Sequence, residues 1–177
     1  MSNSHQLERK LHALREAFDY SFAEGIALER PEQVDFLSIR IAGDPYALRL
    51  SEIQSLHVAR KLVAAPSLLP ELLGLAGFRG VLTPIYDLSP LLGYAGQPVA
   101  NWLVVARSDS PVGFGLELFE AHLRVDRGRI SNTEVAADGA LRGTVESGGL
   151  ALPLIHLPSL IAGIARRIKA FESTQEG

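Results

Sequence analysis

Arg79 is the residue whose type and neighbours best suit recognition of another charged group. It lies between Phe78 and Gly80, and a glycine lets two backbones approach closely. A planar guanidinium can hold a carboxylate through two parallel hydrogen bonds. That carboxylate could belong to a partner protein, or to this chain, where the pair would fix a loop. The local sequence predicts carboxylate recognition and leaves both alternatives open.

One short segment carries side chains of the types that bind metal ions. Glu117, Glu120 and His122 are close in sequence, whereas His57 and His156 are scattered. On a strand, Glu120 and His122 would share a face and Glu117 would point away, so three convergent ligands would require a bulge. The spacing matches no known metal motif. We therefore expect no metal and no cofactor.

The motifs of common catalytic and nucleotide-binding sites are missing from the sequence. It has no Gly-x-Ser-x-Gly elbow, phosphate-cradling Gly-Lys-Ser/Thr loop, His-Glu-x-x-His pair or dinucleotide fingerprint. The sequence predicts a protein that is not an enzyme. The alternative is a ligand-binding or catalytic β-barrel with His122, His156 and the glutamates around a pocket, which a deep polar cavity would favour.

Composition indicates one compact unit that folds unaided. Of 177 residues, 47% are hydrophobic and 21% charged, and the net charge is −3 without a basic cluster, so nucleic acid is not expected as a partner. Cysteine is absent, which excludes disulfides and thiolate metal sites. No stretch resembles a signal peptide or a membrane span, so we expect a cytoplasmic protein without direct membrane insertion.

Hydrophobic periodicity divides the chain into a helical extension (1–33) and a main domain (34–177). In residues 4–25 an apolar stripe predicts a helix, followed by a linker. This helix could mediate self-association, dock a partner, or fold onto its own domain. Period-two patterns then predict a hairpin over 34–50 and strands over 80–87, 102–107, 112–118, 122–126 and 150–155. Pro158 suits the first turn of a C-terminal helix.

An internal repeat relates two parts of the main domain. Glycines, prolines and leucines recur at one offset of 69 residues, as 143 − 74, 149 − 80 and 153 − 84 all show; the pairs are Gly74 and Gly143, Gly80 and Gly149, Pro84 and Pro153, Leu88 and Leu157, Leu91 and Leu160. Two related lobes of short strands are expected.

The segment from Pro66 to Leu88 resembles the central signature of the CheW family of chemotaxis coupling proteins. In that family a proline-rich loop leads to a glycine, an apolar residue before Arg-Gly, a proline and Asp-Leu; the matching residues are Gly74, Phe78, Arg79, Gly80, Pro84, Asp87 and Leu88. The resemblance extends from about Phe36 to Ile161. The chain departs from the family pattern at Gly77, at Glu117 to Phe119 and at His156.

The resemblance implies a mainly β fold of two small five-stranded SH3-like β-barrels packed side by side, with an N-terminal and a C-terminal α-helix. It implies a non-catalytic adaptor that couples the cytoplasmic tip of a methyl-accepting chemoreceptor to a CheA-type histidine kinase. The departures make an adaptor of a specialised system, such as one controlling type IV pili, the alternative.

The expected partner-binding residues lie in and near the signature: Arg79, Glu52, Phe78, Gly80, Leu72 and Leu73. The resemblance pairs Arg79 with the glutamate matched by Glu52, which is the internal alternative for this arginine. Apolar side chains of the signature could also form a groove for a receptor helix, although most are expected in the core; they are Leu72, Leu73, Phe78, Val81, Leu82 and Ile85.

Overall fold

The structure is a computed structural model that describes residues 32–67, 69–134 and 139–175. The predicted N-terminal helix and nearly all of the linker after it lie outside these ranges. The roles considered for that helix, and the division of the chain at residue 33, therefore stay predictions.

The described residues form eleven strands and two α-helices joined by short connections. The strands are β1 (Gln33–Ile41), β2 (Asp44–Arg49), β3 (Ile53–Val58), β4 (Leu72–Phe78), β5 (Val81–Asp87), β6 (Trp102–Ala106), β7 (Gly113–Leu116), β8 (Leu118–Asp126), β9 (Ile130–Glu134), β10 (Leu141–Ser147) and β11 (Leu150–Ile155). The helices are α1 (Leu88–Leu91) and α2 (Leu157–Gln175). Single 3-10 turns occupy Leu50–Glu52 and Arg127–Arg129.

The strands make two mixed sheets that exchange strands between the halves of the domain. The six-stranded sheet has the order β8-β1-β2-β11-β10-β9, and the five-stranded sheet the order β3-β6-β7-β5-β4. Most neighbours are antiparallel, but β11 runs parallel to β2, and β5 parallel to β7. Each sheet therefore needs both halves of the chain, which ties the two lobes together.

The predicted repeat is confirmed across the domain. Strand starts 69 residues apart correspond, from Gln33 to Trp102 (102 − 33) and from Leu72 to Leu141 (141 − 72), and α1 and α2 follow the same rule (157 − 88). The strands of the five-stranded sheet, in the order β3-β6-β7-β5-β4, can each be replaced by the strand 69 residues away in sequence. The order then becomes β8-β1-β2-β11-β10, which is the order of the six-stranded sheet without β9. The two sheets are thus versions of one plan, and β9 is the additional edge strand.

Apolar side chains form three clusters. One is enclosed by the six-stranded sheet and contains Phe36, Ala47, Val125, Val145, Leu152 and Leu154. A second fills the interior of the five-stranded sheet, with Ala76, Phe78, Ile85, Leu103 and Val105. The largest lies between the sheets and includes Ile39, Leu48, Val104, Phe114, Leu157 and Leu160. Burial of these side chains supplies most of the folding free energy, and it joins α2 to both lobes.

The mainly β, two-lobed fold with a C-terminal helix is confirmed. One lobe has six strands instead of five, because β9 adds an edge where the other lobe has only the isolated bridge between Val63 and Leu75. Strand β11 and the start of α2 lie where the sequence predicted them, whereas β3, β4, β9 and β10 were not predicted as strands. In the described part of the chain, no helix has the length and apolar character needed to cross a membrane.

Candidate partner-binding site

Arg79 and Gly80 form the two-residue turn between β4 and β5. Phe78 pairs directly with Val81 across the turn, and Arg79 and Gly80 have φ angles of 49° and 82°. Such left-handed turns match the twist of a hairpin. Glycine adopts them without strain, whereas a residue with a Cβ is held there at a cost of about 1–2 kcal/mol. Ala42 has nearly the same angle, 51°, in the β1–β2 turn. The backbone conformation alone therefore assigns no role to the Arg79 side chain, which has to be judged from its surroundings.

Arg79 borders a cleft of about 420 Å³ formed by β3, the tip of the β4–β5 hairpin and the loop after β6. Arg60 and His57 line the same cleft, together with the hydroxyl groups of Ser55 and Ser108. The turn is exposed to solvent. The cleft therefore brings together two guanidinium groups that are 19 positions apart in sequence (79 − 60) and opens beside the hairpin turn.

Arg60 and His57 are held against the ring of Phe78. The Arg60 guanidinium lies over that ring at 4.8 Å, and the imidazole of His57 packs against it with the ring centroids 4.6 Å apart. Arg60 also reaches the carbonyl oxygen of Gly77 at 3.3 Å. Phe78 is buried, so its ring serves as the platform that orients both side chains.

The protonation state of His57 follows from its neighbours. Its Nδ1 lies 3.4 Å from Arg60 Nη2, and because a guanidinium can only donate, Nδ1 must accept. The proton is thus assigned to Nε2, which lies 2.9 Å from the hydroxyl oxygen of Ser55. Burial, followed by the positive charges of Arg60 and Arg79, lowers the pKa of His57. His57 is therefore a neutral wall of a positively charged cleft.

Glu52, the expected internal partner of Arg79, makes its contacts elsewhere. Its carboxylate accepts a hydrogen bond of 3.0 Å from the backbone N–H of Leu157, and its Oε1 lies 3.9 Å from Arg49 Nε and from His156 Nε2. Burial raises the pKa of this carboxyl, against the lowering effects of the Leu157 hydrogen bond and Arg49. Glu52 caps the first turn of α2, and an internal ion pair with Arg79 does not exist among the described residues.

The outer face of the β4–β5 hairpin is apolar and partly exposed. Direct cross-strand neighbours point to the same side of a sheet, and Leu75 pairs with Pro84 while Gly77 pairs with Leu82. Val63 joins the same face through its bridge to Leu75. Leu82 is 60% exposed and Val63 63% exposed. We call Val63, Leu75, Gly77, Leu82 and Pro84 the outer face.

The remaining expected site residues lie at different depths. Leu72 packs against the cluster between the sheets, and Leu73 against the interior of the five-stranded sheet. Ile85 is fully buried, whereas Val81 is half exposed and borders the cleft. The structure therefore brings Arg79, Gly80 and Phe78 together at the hairpin tip, and places Leu72 and Leu73 beneath it as packing residues.

The side chains considered as metal ligands make separate contacts. Glu120 accepts hydrogen bonds from Arg40 and Ser38, and it lies at a register shift between β1 and β8. Glu117 accepts a hydrogen bond from the backbone N–H of Gly43, while His122 lies 2.9 Å from Asp35. The bulge that convergence would require is present, but these three groups contact different partners.

A second cavity, of about 600 Å³, lies between α1 and α2. Leu91, Leu160 and Ile164 line it, together with Glu71, which is only 8% exposed and hydrogen-bonds Arg167. His122 and His156 do not line this cavity. This cavity therefore does not bring together the histidines that the ligand-binding alternative places around its pocket.

Comparison with known proteins assigns the family. The sequence model of the CheW-like domain matches residues 35–165, which is more than half of the chain. The chain belongs to the CheW-like domain family. Its structure is similar to that of the scaffolding protein TtCheW from Thermoanaerobacter tengcongensis, with a TM-score of 0.64 and 14% sequence identity, over 71% of this chain and 90% of that one. At this identity the likeness shows the shared fold. No curated protein matches the sequence.

Two residues of the site in this CheW-like domain escaped the sequence-based prediction. Arg60 follows the end of β3 without any motif around it, and His57 was seen only as an isolated histidine. Their contacts with Phe78 depend on long-range pairing of β3 with β6 and of β4 with β5. No local pattern could reveal them, because a spacing of three points side chains to opposite faces of a strand.

Proposed function

We propose that this CheW-like domain is a non-catalytic cytoplasmic adaptor that couples chemoreceptors to a CheA-type histidine kinase in a two-component chemosensory pathway. Membership of the CheW-like domain family supports this role. Partner binding takes place at the β4–β5 hairpin, where Arg79 and the outer face meet. The filled interiors of both sheets support a protein that works through its surface.

The observation that carries the proposal is the exposed apolar outer face beside an exposed arginine, Arg79. The equivalent face of the β10–β11 hairpin consists of Ser131, Thr144, Glu146, Ala151 and Pro153, as given by the same cross-strand pairings. The fold therefore does not require an apolar surface at these positions, since the equivalent hairpin has a more polar one. Leu82 and Val63 belong to one apolar face and are 60% and 63% exposed, and such a contiguous exposed face supports contact with a protein partner.

Each expected partner-binding residue has a place in this proposal. Arg79 and Gly80 contact the partner directly, because their turn is exposed. Phe78 orients the charged side chains behind the turn. Leu72 and Leu73 support the hairpin from below, and Glu52 holds α2 to the 3-10 turn after β2. Substitution of Glu52 should therefore act on stability before it acts on binding.

Reconstitution with partner proteins tests this function. The purified full-length chain should form a complex with the CheA-type kinase and with receptor signalling tips of the same cell, and should make the kinase respond to the receptor. The Arg79→Glu variant should lose about tenfold or more in affinity, since reversed charge at an interface repels the partner group. Arg166→Glu, at an exposed arginine of α2, is the matched control. Failure of the wild-type chain to bind either protein would refute the proposal.

A further inference from the structure

We propose that the cleft between Arg60 and Arg79 is a binding site for a carboxylate side chain that the docked partner inserts beside the outer face. This inference rests on the proposed function and specifies the chemistry of the contact. The ligand is an aspartate or glutamate of a protein segment that also carries apolar residues.

The two guanidinium groups have unused hydrogen-bonding capacity. Each guanidinium offers five N–H donors. Within the described part of the chain, Arg79 makes no side-chain hydrogen bond or ion pair, and Arg60 reaches only the Gly77 carbonyl oxygen, His57 and the Phe78 ring. None of these three contacts neutralises the positive charge. A carboxylate would satisfy the free donors and supply the missing charge.

The walls of the cleft suit an anion of residue size. Ser55 brings a hydroxyl group and Gln54 an amide, whereas the Ser108 hydroxyl donates to the carbonyl oxygen of Ser110. Asp109 is the single acidic residue in the lining, against the two arginines. The volume of about 420 Å³ exceeds that of one carboxylate and leaves room for the side chain that carries it. The charge of the lining therefore favours an acidic residue over a basic one.

The position of Arg79 in the turn supports the same ligand. A glycine would make the turn without cost, as Gly148 does in the equivalent turn of β10–β11 with φ 57°. Arginine at this position places a guanidinium beside the mouth of the cleft, where the counterpart Gly148 has no side chain. Leu82 and Val63 on the outer face provide the apolar contacts next to this mouth.

Nuclear magnetic resonance on the full-length protein tests the site without any partner protein. The probe is an acetylated, amidated peptide Ala-Glu-Leu-Glu-Ala, and its control is the same peptide with both glutamates replaced by glutamine. Binding should shift the ring signals of His57, assigned with a His57→Gln variant, and should raise the pKa of His57 because the added carboxylate offsets Arg60 and Arg79. Arg60→Gln and Arg79→Gln should each weaken binding about tenfold or more, whereas Arg166→Gln should leave it unchanged.

Three results would overturn the inference. The glutamine peptide could bind as well as the glutamate peptide, the two arginine variants could bind like the Arg166→Gln control, or inorganic phosphate could shift the His57 signals where the glutamate peptide does not. The last result would assign the cleft to phosphate groups. The peptide titration contains no kinase or receptor, so it is independent of the test of the adaptor function. If the chain bound those proteins but not the glutamate peptide, the carboxylate site would be rejected and the adaptor function would be retained.

Discussion

The β4–β5 and β10–β11 hairpins follow one plan but differ at the surface. Their strands start 69 residues apart, and inward-facing counterparts are apolar in both, as with Ala76 and Val145 or Ile85 and Leu154. On the outside, Leu82 corresponds to Ala151. At the turns, Arg79-Gly80 corresponds to Gly148-Gly149, all with positive φ. Positions that the fold requires are therefore alike, and the differences fall on positions that the fold leaves free.

The largest expected effect comes from a position where both hairpins need glycine. Gly143 has φ +88°, and a Cβ there would overlap the carbonyl oxygen of Ser131 in the neighbouring strand β9. Gly143→Ala should therefore destabilise the protein by at least about 3 kcal/mol. Urea denaturation followed by circular dichroism measures this loss. A variant as stable as wild type would show that β9 does not hold its place beside β10.

The counterpart Gly74 should tolerate alanine better. A Cβ at Gly74 would lie 2.6 Å from the carbonyl oxygen of Val63, which belongs to an isolated bridge and not to a strand. That segment can move with less disruption of a ladder. We expect Gly74→Ala to cost about 1–3 kcal/mol, less than Gly143→Ala in the same assay. The reverse order would contradict the assignment of β9 as the stiffer edge.

The second prediction concerns the outer face. Leu82→Ala gives the β4–β5 hairpin the residue that stands at the equivalent position of β10–β11. Because Leu82 is 60% exposed, stability should stay within about 0.5 kcal/mol of wild type, while affinity for the kinase or receptor should fall about tenfold. Calorimetric titration with each partner measures the change.

Leu150→Ala is the matched control for this variant. Leu150 is 63% exposed and lies next to the turn of the β10–β11 hairpin. It should keep wild-type affinity, because its hairpin lacks the arginine and the apolar outer face. Equal losses for Leu82→Ala and Leu150→Ala would mean that general surface hydrophobicity, and not this face, determines binding.

The third prediction exchanges the two turns. Arg79→Gly removes the left-handed strain and should stabilise folding by about 0.5–1 kcal/mol, after allowance for the greater freedom of glycine in the unfolded chain. The reciprocal Gly148→Arg should destabilise by about 1 kcal/mol. Thermal unfolding measures both. If Arg79→Gly were destabilising, Arg79 would make a stabilising contact that outweighs its strain, which would contradict the lack of side-chain partners for Arg79 among the described residues.

Local patterns were sufficient for some elements and not for others. Alternating residues placed the β1–β2 hairpin and β11, and a proline in the first turn placed the start of α2. Strands β4 and β10 contain Gly74, Gly77 and Gly143, so their composition is typical of loops. Their extended conformation is imposed by pairing with β5 and β11, which a single segment does not encode.

The candidate site was predictable in part for the same reason. The signature around Arg79 lies within one hairpin, so sequence placed Arg79, Gly80 and Phe78 together correctly. The positions of Arg60, His57 and Glu52 depend on tertiary contacts: the first two meet Phe78 across strands, and Glu52 meets the start of α2 far along the chain. The pairing of Glu52 with Arg79, which the family resemblance implied as one of two alternatives, is not found, because this carboxylate accepts from the backbone N–H of Leu157 at the start of α2.

The smallest effect should come from the caps of the two helices, which the repeat also relates. Asp87 caps α1 by accepting from the backbone N–H of Ser89 at 2.9 Å, and His156 at the equivalent position accepts from that of Ser159 through Nδ1 at 3.2 Å. Only neutral His156 can accept there. Burial is the largest cause that lowers the pKa of His156, followed by the positive charges of Arg142 and Arg49. As the pH falls below the ordinary pKa of histidine, the folded state therefore binds fewer protons than the unfolded state.

The pH dependence that follows has a definite sign. The contribution of His156 to stability is complete above the ordinary pKa of histidine and is lost as the pH falls through the lowered value of the folded state. From about pH 7.5 to 5.5, wild type should lose about 0.5 kcal/mol of stability relative to His156→Asn, which keeps an acceptor but does not titrate in this range. Urea denaturation at several pH values measures this difference, with Asp87→Asn as control. Glu52, Arg49 and Arg142 also face this histidine, but they are common to both proteins. Parallel pH profiles for wild type and His156→Asn would show that α2 relies on Glu52 alone for its cap.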